Sequence, residues 1–278
     1  MTSNVNDQQR QVGTEGGTMV GAASQRRFGA GYTRVLLQLV AVLASITAIV
    51  VVWQLVIWVF NVRASTLPSP KAVLTSLLQS FDFLRPALIT TIQETLAGFL
   101  IAAGVGVLLA SAIAASRLVE RLVYPILIVT NAVPKIALAP VFLAWFGLDS
   151  TPRVVMAALL AIFPIVISTV VGFAGIDDGL LMLGRSTNAN RLRVFRLIKL
   201  PAALPGIFGG LKVGVTLALT GAVVAQLVGG NSGLGYTITT AQGNLQLPLA
   251  FAAIVLLAIA GVLLFYVLEL LELLVTRR

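Results

Sequence analysis

Several separate runs of uncharged, apolar residues dominate this sequence, each long enough to cross a bilayer as a helix. Backbone polar groups in hydrocarbon must be satisfied within the protein, so only helix bundles and closed barrels span a membrane. The runs have helical length, and none alternates like a barrel strand. Of the 278 residues, 58% are hydrophobic and only 10% charged, with mean hydropathy +0.99. Covering a water-facing surface takes about 25% charged residues. The fold class that follows is an all-α integral membrane protein with six transmembrane helices.

The six spans fall at about 35–60, 89–115, 122–147, 154–174, 206–229 and 249–274. Pro125, Pro134 and Pro140 interrupt the third. Between the first two, Pro68, Pro70 and Pro86 punctuate a segment whose Lys71–Phe81 stretch reads as a short interfacial helix. Residues 1–34 are rich in Gln, Gly, Ser and Thr and have no apolar run, which reads as a disordered tail. The apolar run that follows is long enough to be a retained helix rather than a cleaved signal. The domain organisation is therefore a cytoplasmic tail, 1–34, and a transmembrane domain, 35–278.

Lysine and arginine are unevenly divided between the two sides. One side collects Arg10, Arg26, Arg27, Arg34, Arg117, Arg121, Arg185, Arg191, Arg193, Arg196, Lys199, Arg277 and Arg278; the other has Arg63, Lys71, Arg85 and Arg153. The richer side is cytoplasmic, so both termini lie inside and 175–205 is the largest cytoplasmic connection between spans. The net charge of +9 follows this topology and is not a nucleic-acid footprint.

The chain has no cysteine and no histidine. That removes disulfides, thiolate nucleophiles, imidazole bases and most zinc chemistry. A phosphate-cradling loop needs Gly-x-x-x-x-Gly-Lys-Ser/Thr, and no Gly-Lys pair occurs. If ATP drives this protein, another subunit binds it.

Charges inside spans are costly and point to function. Glu94 lies near the outer end of the second span, where it is expected to snorkel to the headgroups. Lys135 sits between Pro134 and Pro140, where the helix should break; it either lines a path or pairs with a carboxylate or carbonyl that holds the break. Gly206, Gly210, Gly214, Ala218 and Ala222 recur every four residues and let helices approach closely. Gln226, one step further, is a polar group in an apolar run and needs a partner.

The segment Asp177–Pro205 reads as a capped amphipathic helix, a polar break, a basic amphipathic helix and a proline stop. On its own such a segment also fits a helix lying on the inner leaflet. Its spacing resembles the cytoplasmic signature of binding-protein-dependent ABC importer permeases, Glu-Ala-Ala-x3-Gly-x9-Ile-x-Leu-Pro. Ile198, Leu200 and Pro201 meet the tail of the signature. Met182 stands at its Glu, Leu183 and Gly184 at its two Ala, and Asn188 at its Gly. Asn131–Pro140 with Trp145-Phe146-Gly147, Leu204–Leu211, Gly221–Gln226 and Gly233–Tyr236 resemble the branch for sulfonate, taurine and nitrate importers, which usually has Glu where Gln226 stands. The stretch Leu249–Ile254 is similar to importers of thiamine pyrimidine precursors.

The resemblance implies a permease subunit in a bacterial inner membrane. It carries a small, anionic or electron-rich solute or, alternatively, a heterocycle such as a thiamine pyrimidine precursor. It implies a second permease copy, two ATPase subunits holding ATP and magnesium, an external solute-binding protein and surrounding lipid, with no cofactor on this chain. Asp178, Leu180, Met182, Leu183, Gly184 and Asn188 would couple to the ATPase through a helix at about 178–190. Asn131, Lys135 and Gln226 are the candidates for the translocation path. An ATP-independent transporter or channel is the alternative of another class; a membrane enzyme lacks a convergent acid, base and nucleophile set.

Overall fold

The computed structural model describes residues 40–41, 44–177, 179, 182 and 190–276. The chain divides into two compact units, 1–63 and 64–278. In the first, the described part of the expected first span is the apolar helix α1, Ala44–Val59. Its 16 residues rise about 24 Å, and the segment expected to lengthen it lies largely outside the described residues.

The second unit opens with α2, Pro70–Gln79. Ser69 caps it, its hydroxyl accepting from the Ala72 N–H at 3.3 Å, and Pro70 occupies the first helical position, where no N–H is needed. Helix α3, Phe81–Ala115, begins eight residues before the expected start of the second span. Pro86 lies in its second turn and removes one intrahelical bond without ending the helix. At 35 residues α3 is about 52 Å long, well over the roughly 30 Å hydrocarbon core, so it projects beyond the membrane.

The expected third span is broken, but only at Pro134: Pro125 lies inside a continuous helix and Pro140 in the first turn of the next, where no N–H is needed. Helix α4, Arg117–Ala132, ends at Pro134; a 3-10 turn, Lys135–Leu138, leads into α5, Ala139–Phe146. The two halves are bent by 79°. Pro134 has no N–H to continue α4 and forces Val133 into extended backbone, with ψ 128°. Then come α6, Ser150–Ala174; a single turn α7, Arg191–Val194; a π-helical stretch, Phe195–Lys199; α8, Leu200–Gly229; α9, Gly233–Gly243; and α10, Leu247–Thr276. Among the described residues four helices are long and apolar enough to cross a membrane, or five with the bent pair counted as one. Helix α9, between the last two spans, has no counterpart among the expected elements.

Helices α3, α6 and α8 form the core because small residues let them touch. A Cβ on Gly206 would stand 2.6 Å from the Gly172 Cα, and one on Gly221 2.5 Å from the Met156 carbonyl oxygen. The four-residue stripe on α8 is thus tight packing against α6. Phe99, Ala161, Ile165, Val215, Ala218 and Leu268 fill the space between.

Candidate functional site

Two polar assemblies stand out in the apolar bundle. The first is at the break between α4 and α5. There Lys135 Nζ donates to Asn131 Oδ1 at 2.6 Å, one helical turn back across the break, and lies 5.2 Å from the centroid of the Phe163 ring. Asn131 is exposed and Lys135 half-buried. An ammonium has three donors, and no other hydrogen bond from Lys135 is formed among the described residues. The structure therefore joins two of the three sequence-derived path candidates.

The third candidate, Gln226, belongs to a different, enclosed assembly. The residue is 1% exposed. Gln226 Nε2 donates to Glu94 Oε2 at 2.7 Å, and Arg153 Nε meets Glu94 Oε1 at 3.0 Å. Gln226 Oε1 accepts from the Gly235 N–H at 2.9 Å and from the Thr91 hydroxyl at 3.1 Å. The Leu234 N–H donates to Thr91 Oγ1 at 2.9 Å, and Arg153 Nη1 donates to Ser232 Oγ at 2.8 Å. The first turn of α9 is thus capped by side chains of α3 and α8, while its own N-cap residue, Ser232, is bonded to Arg153 on α6. Gly233 is required here: its φ is +92°, and any Cβ would run into the Gln226 amide.

This network corrects one expectation. Glu94 does not snorkel; it is 4% exposed and ion-paired. Arg153, counted in the sequence with the cations of the outer side, is likewise 4% exposed, inside α6. The helix packing explains why they meet. Gly98 lies against Ala157 and Gly106 against Ile165, so α3 and α6 run parallel with a fixed offset of 59 positions. Glu94 and Arg153 obey the same offset. Both charges were visible in the sequence; the register that pairs them was not.

A second ion cluster joins α8 to α10. Lys212 meets both Glu269 and Glu272, with the Phe265 ring 5.8 Å from its Nζ.

Of the residues expected to couple to an ATPase, Met182 is helical and exposed. Asp178, Leu180, Leu183, Gly184 and Asn188 lie outside the described residues. The two ends of that connection meet where Phe173 of α6 stacks on Phe195, centroids 5.8 Å apart. Pro201 follows the π-helical stretch and offers no N–H, so an intrahelical bond is missing there in either register.

Residues 102–278 match a family described as binding-protein-dependent transport system inner membrane component. The chain is 35% identical to the riboflavin transport system permease protein RibX of Chloroflexus aurantiacus, over 84% of this chain and 88% of that protein. It is 32% identical to the formylaminopyrimidine transport permease protein ThiX of Halalkalibacterium halodurans, over 78% and 89%. It is 26% identical to the taurine transport system permease protein TauC of Escherichia coli, over 80% and 83%. The fold resembles a chain in a crystal structure of an amino acid ABC transporter with histidines: TM-score 0.58, 17% identity, covering 73% of this chain and 97% of that one.

Proposed function

The chain belongs to the family of binding-protein-dependent transport system inner membrane components, and from that premise we propose how it works and what it carries. It is a multi-pass membrane permease subunit of an ABC importer, and such subunits are not enzymes. Residues 35–278 form its six-span membrane domain, with 1–34 a cytoplasmic tail and both termini inside. The carried solute is small and anionic or electron-rich. The observation behind this is Lys135, a cation placed at a break in a span, tethered by Asn131 and, among the described residues, with donors left over. Nitrate fits the anionic description, and so does the sulfonate end of zwitterionic taurine. The riboflavin and formylaminopyrimidine names of two relatives favour a second reading, an electron-rich heterocycle.

Two copies of the chain pair, two ATPase subunits holding ATP and magnesium dock on helices at about 178–190, and an external binding protein delivers the solute. The combination of no Gly-Lys pair in the chain and a long connection between α6 and α7 supports this division of labour. Closure of the ATPases then moves the connection and switches the path between inward and outward states. Uptake into proteoliposomes is the test, with taurine, nitrate, riboflavin and a formylaminopyrimidine as solutes. Uptake should require the ATPase, ATP and the binding protein together. Uptake at full rate without ATP would replace this reading with a secondary transporter or channel.

A further inference from the structure

The exposed faces of the spans differ in chemistry. On α3 the exposed residues between Leu96 and Ala112 are all apolar, and on α10 those between Ile254 and Val267 are aliphatic or aromatic. Such faces suit lipid. Helix α8 differs. Gly209, Val213 and Thr220 are exposed and Thr216 half-buried. At 100° per residue these four fall within about 60° of one another, so they form one strip along the helix. On one flank Leu217 and Val224 pack with Ala139 and Phe142 of α5, next to the break that carries Lys135. On the other flank Lys212 is held by Glu269 and Glu272 of α10. The strip therefore occupies a gap between the broken helix and the last span.

We infer that this strip of α8, centred on Thr216 and Thr220, is a water-facing wall of the translocation path and meets the solute as a hydrogen-bond acceptor. The inference rests on the importer reading. Thr216 Oγ1 donates to the Val213 carbonyl at 2.8 Å and Thr220 Oγ1 to the Thr216 carbonyl at 3.0 Å. Each hydroxyl has a single proton and two lone pairs. With the protons engaged along the helix, the lone pairs remain for a partner. Gly209 adds room, since beyond its own stretch of helix no atom of the described residues lies within 4 Å of where its Cβ would be. The wall carries no charge and suits amine, amide or hydroxyl donors on the solute.

The chain has no cysteine, so single cysteines can be introduced without removing any. In vesicles holding the permease with its ATPase, T216C and T220C are treated with a membrane-impermeant methanethiosulfonate. L100C and L263C, on the apolar faces of α3 and α10, serve as references. Only a hydrated thiol ionises and reacts, so T216C and T220C should react at least about tenfold faster than the references, with rates that change on adding ATP. Rates no faster than the references would overturn the wall, since lipid or a packed protein surface would then cover the strip; the importer reading would be untouched. Fast rates that never respond to ATP would support the wall and count against coupling to the ATPase. T216V/T220V should weaken uptake and T216S/T220S restore it; equal uptake by all three proteins would overturn the acceptor role.

Discussion

Arg153→Met removes a guanidinium from an enclosed site and leaves its partner behind. Glu94 would keep one hydrogen bond, from Gln226 Nε2 at 2.7 Å, in a pocket where it is 4% exposed. Removing one member of a buried ion pair costs about 3–5 kcal/mol, because the survivor is charged and unpaired. The Ser232 bond that tethers the start of α9 is lost as well. Replacing both charges, Glu94→Leu with Arg153→Met, removes the stranded carboxylate. What remains is the Gln226 amide without its acceptor, a cost of about 1–3 kcal/mol, and the Ser232 loss that both variants share. The double variant should therefore be more stable than the single one. At roughly 2–4 °C per kcal/mol for a chain of this size, Arg153→Met should lower the midpoint of thermal unfolding in detergent by on the order of 10 °C. The double variant should recover half of that or more. Thermal unfolding followed by fluorescence-detected size exclusion measures both. A double variant as unstable as the single one, or an Arg153→Met protein that melts like wild type, would refute the account.

Further expectations concern packing, charge and coupling. Gly221→Leu should prevent assembly, since even a Cβ would sit 2.5 Å from the Met156 carbonyl oxygen, whereas Gly104→Ala meets open space and should gain about 0.5–1 kcal/mol; yield of folded protein separates them. Lys135→Met should reduce uptake roughly tenfold or more, the loss of a charged hydrogen bond of about 1.5–3 kcal/mol, while ATPase association stays intact. Misassembly of that variant would instead mark Lys135 as a brace for the break. Met182→Ala should loosen the ATPase in co-purification more than added salt does, because a thioether grips by apolar contact; Met182→Glu should make retention salt-sensitive. A cysteine at Leu245, 83% exposed at the turn between α9 and α10, should react with an impermeant reagent from outside cells, and one at Ser24 should not; the opposite pattern would invert the topology.

Sequence alone determined that this chain lives in a membrane as helices, where one span breaks, and what kind of protein it resembles. Those properties are local. Hydropathy is a sum over neighbouring residues, and Pro134 breaks α4 by removing its own N–H and restricting Val133, whatever surrounds it. Tertiary structure decided which polar groups meet. Glu94 looks like an interfacial carboxylate until Gly98 and Gly106 set α3 against α6 in the register that delivers Arg153. Gln226 needed a partner by any reading, but only the fold shows that its amide joins Glu94 to the backbone of α9. Helix α9 is not legible in the sequence because its amides are capped by Thr91 and Gln226, 143 and nine positions away, and not by the residue that precedes it. The exposed strip on α8 has the same origin: Thr216 and Thr220 look like ordinary span residues until their neighbours on α5 and α10 leave that face uncovered. A side chain's chemistry is written in the sequence, but its partners and its solvent are set by contacts between residues far apart in the chain.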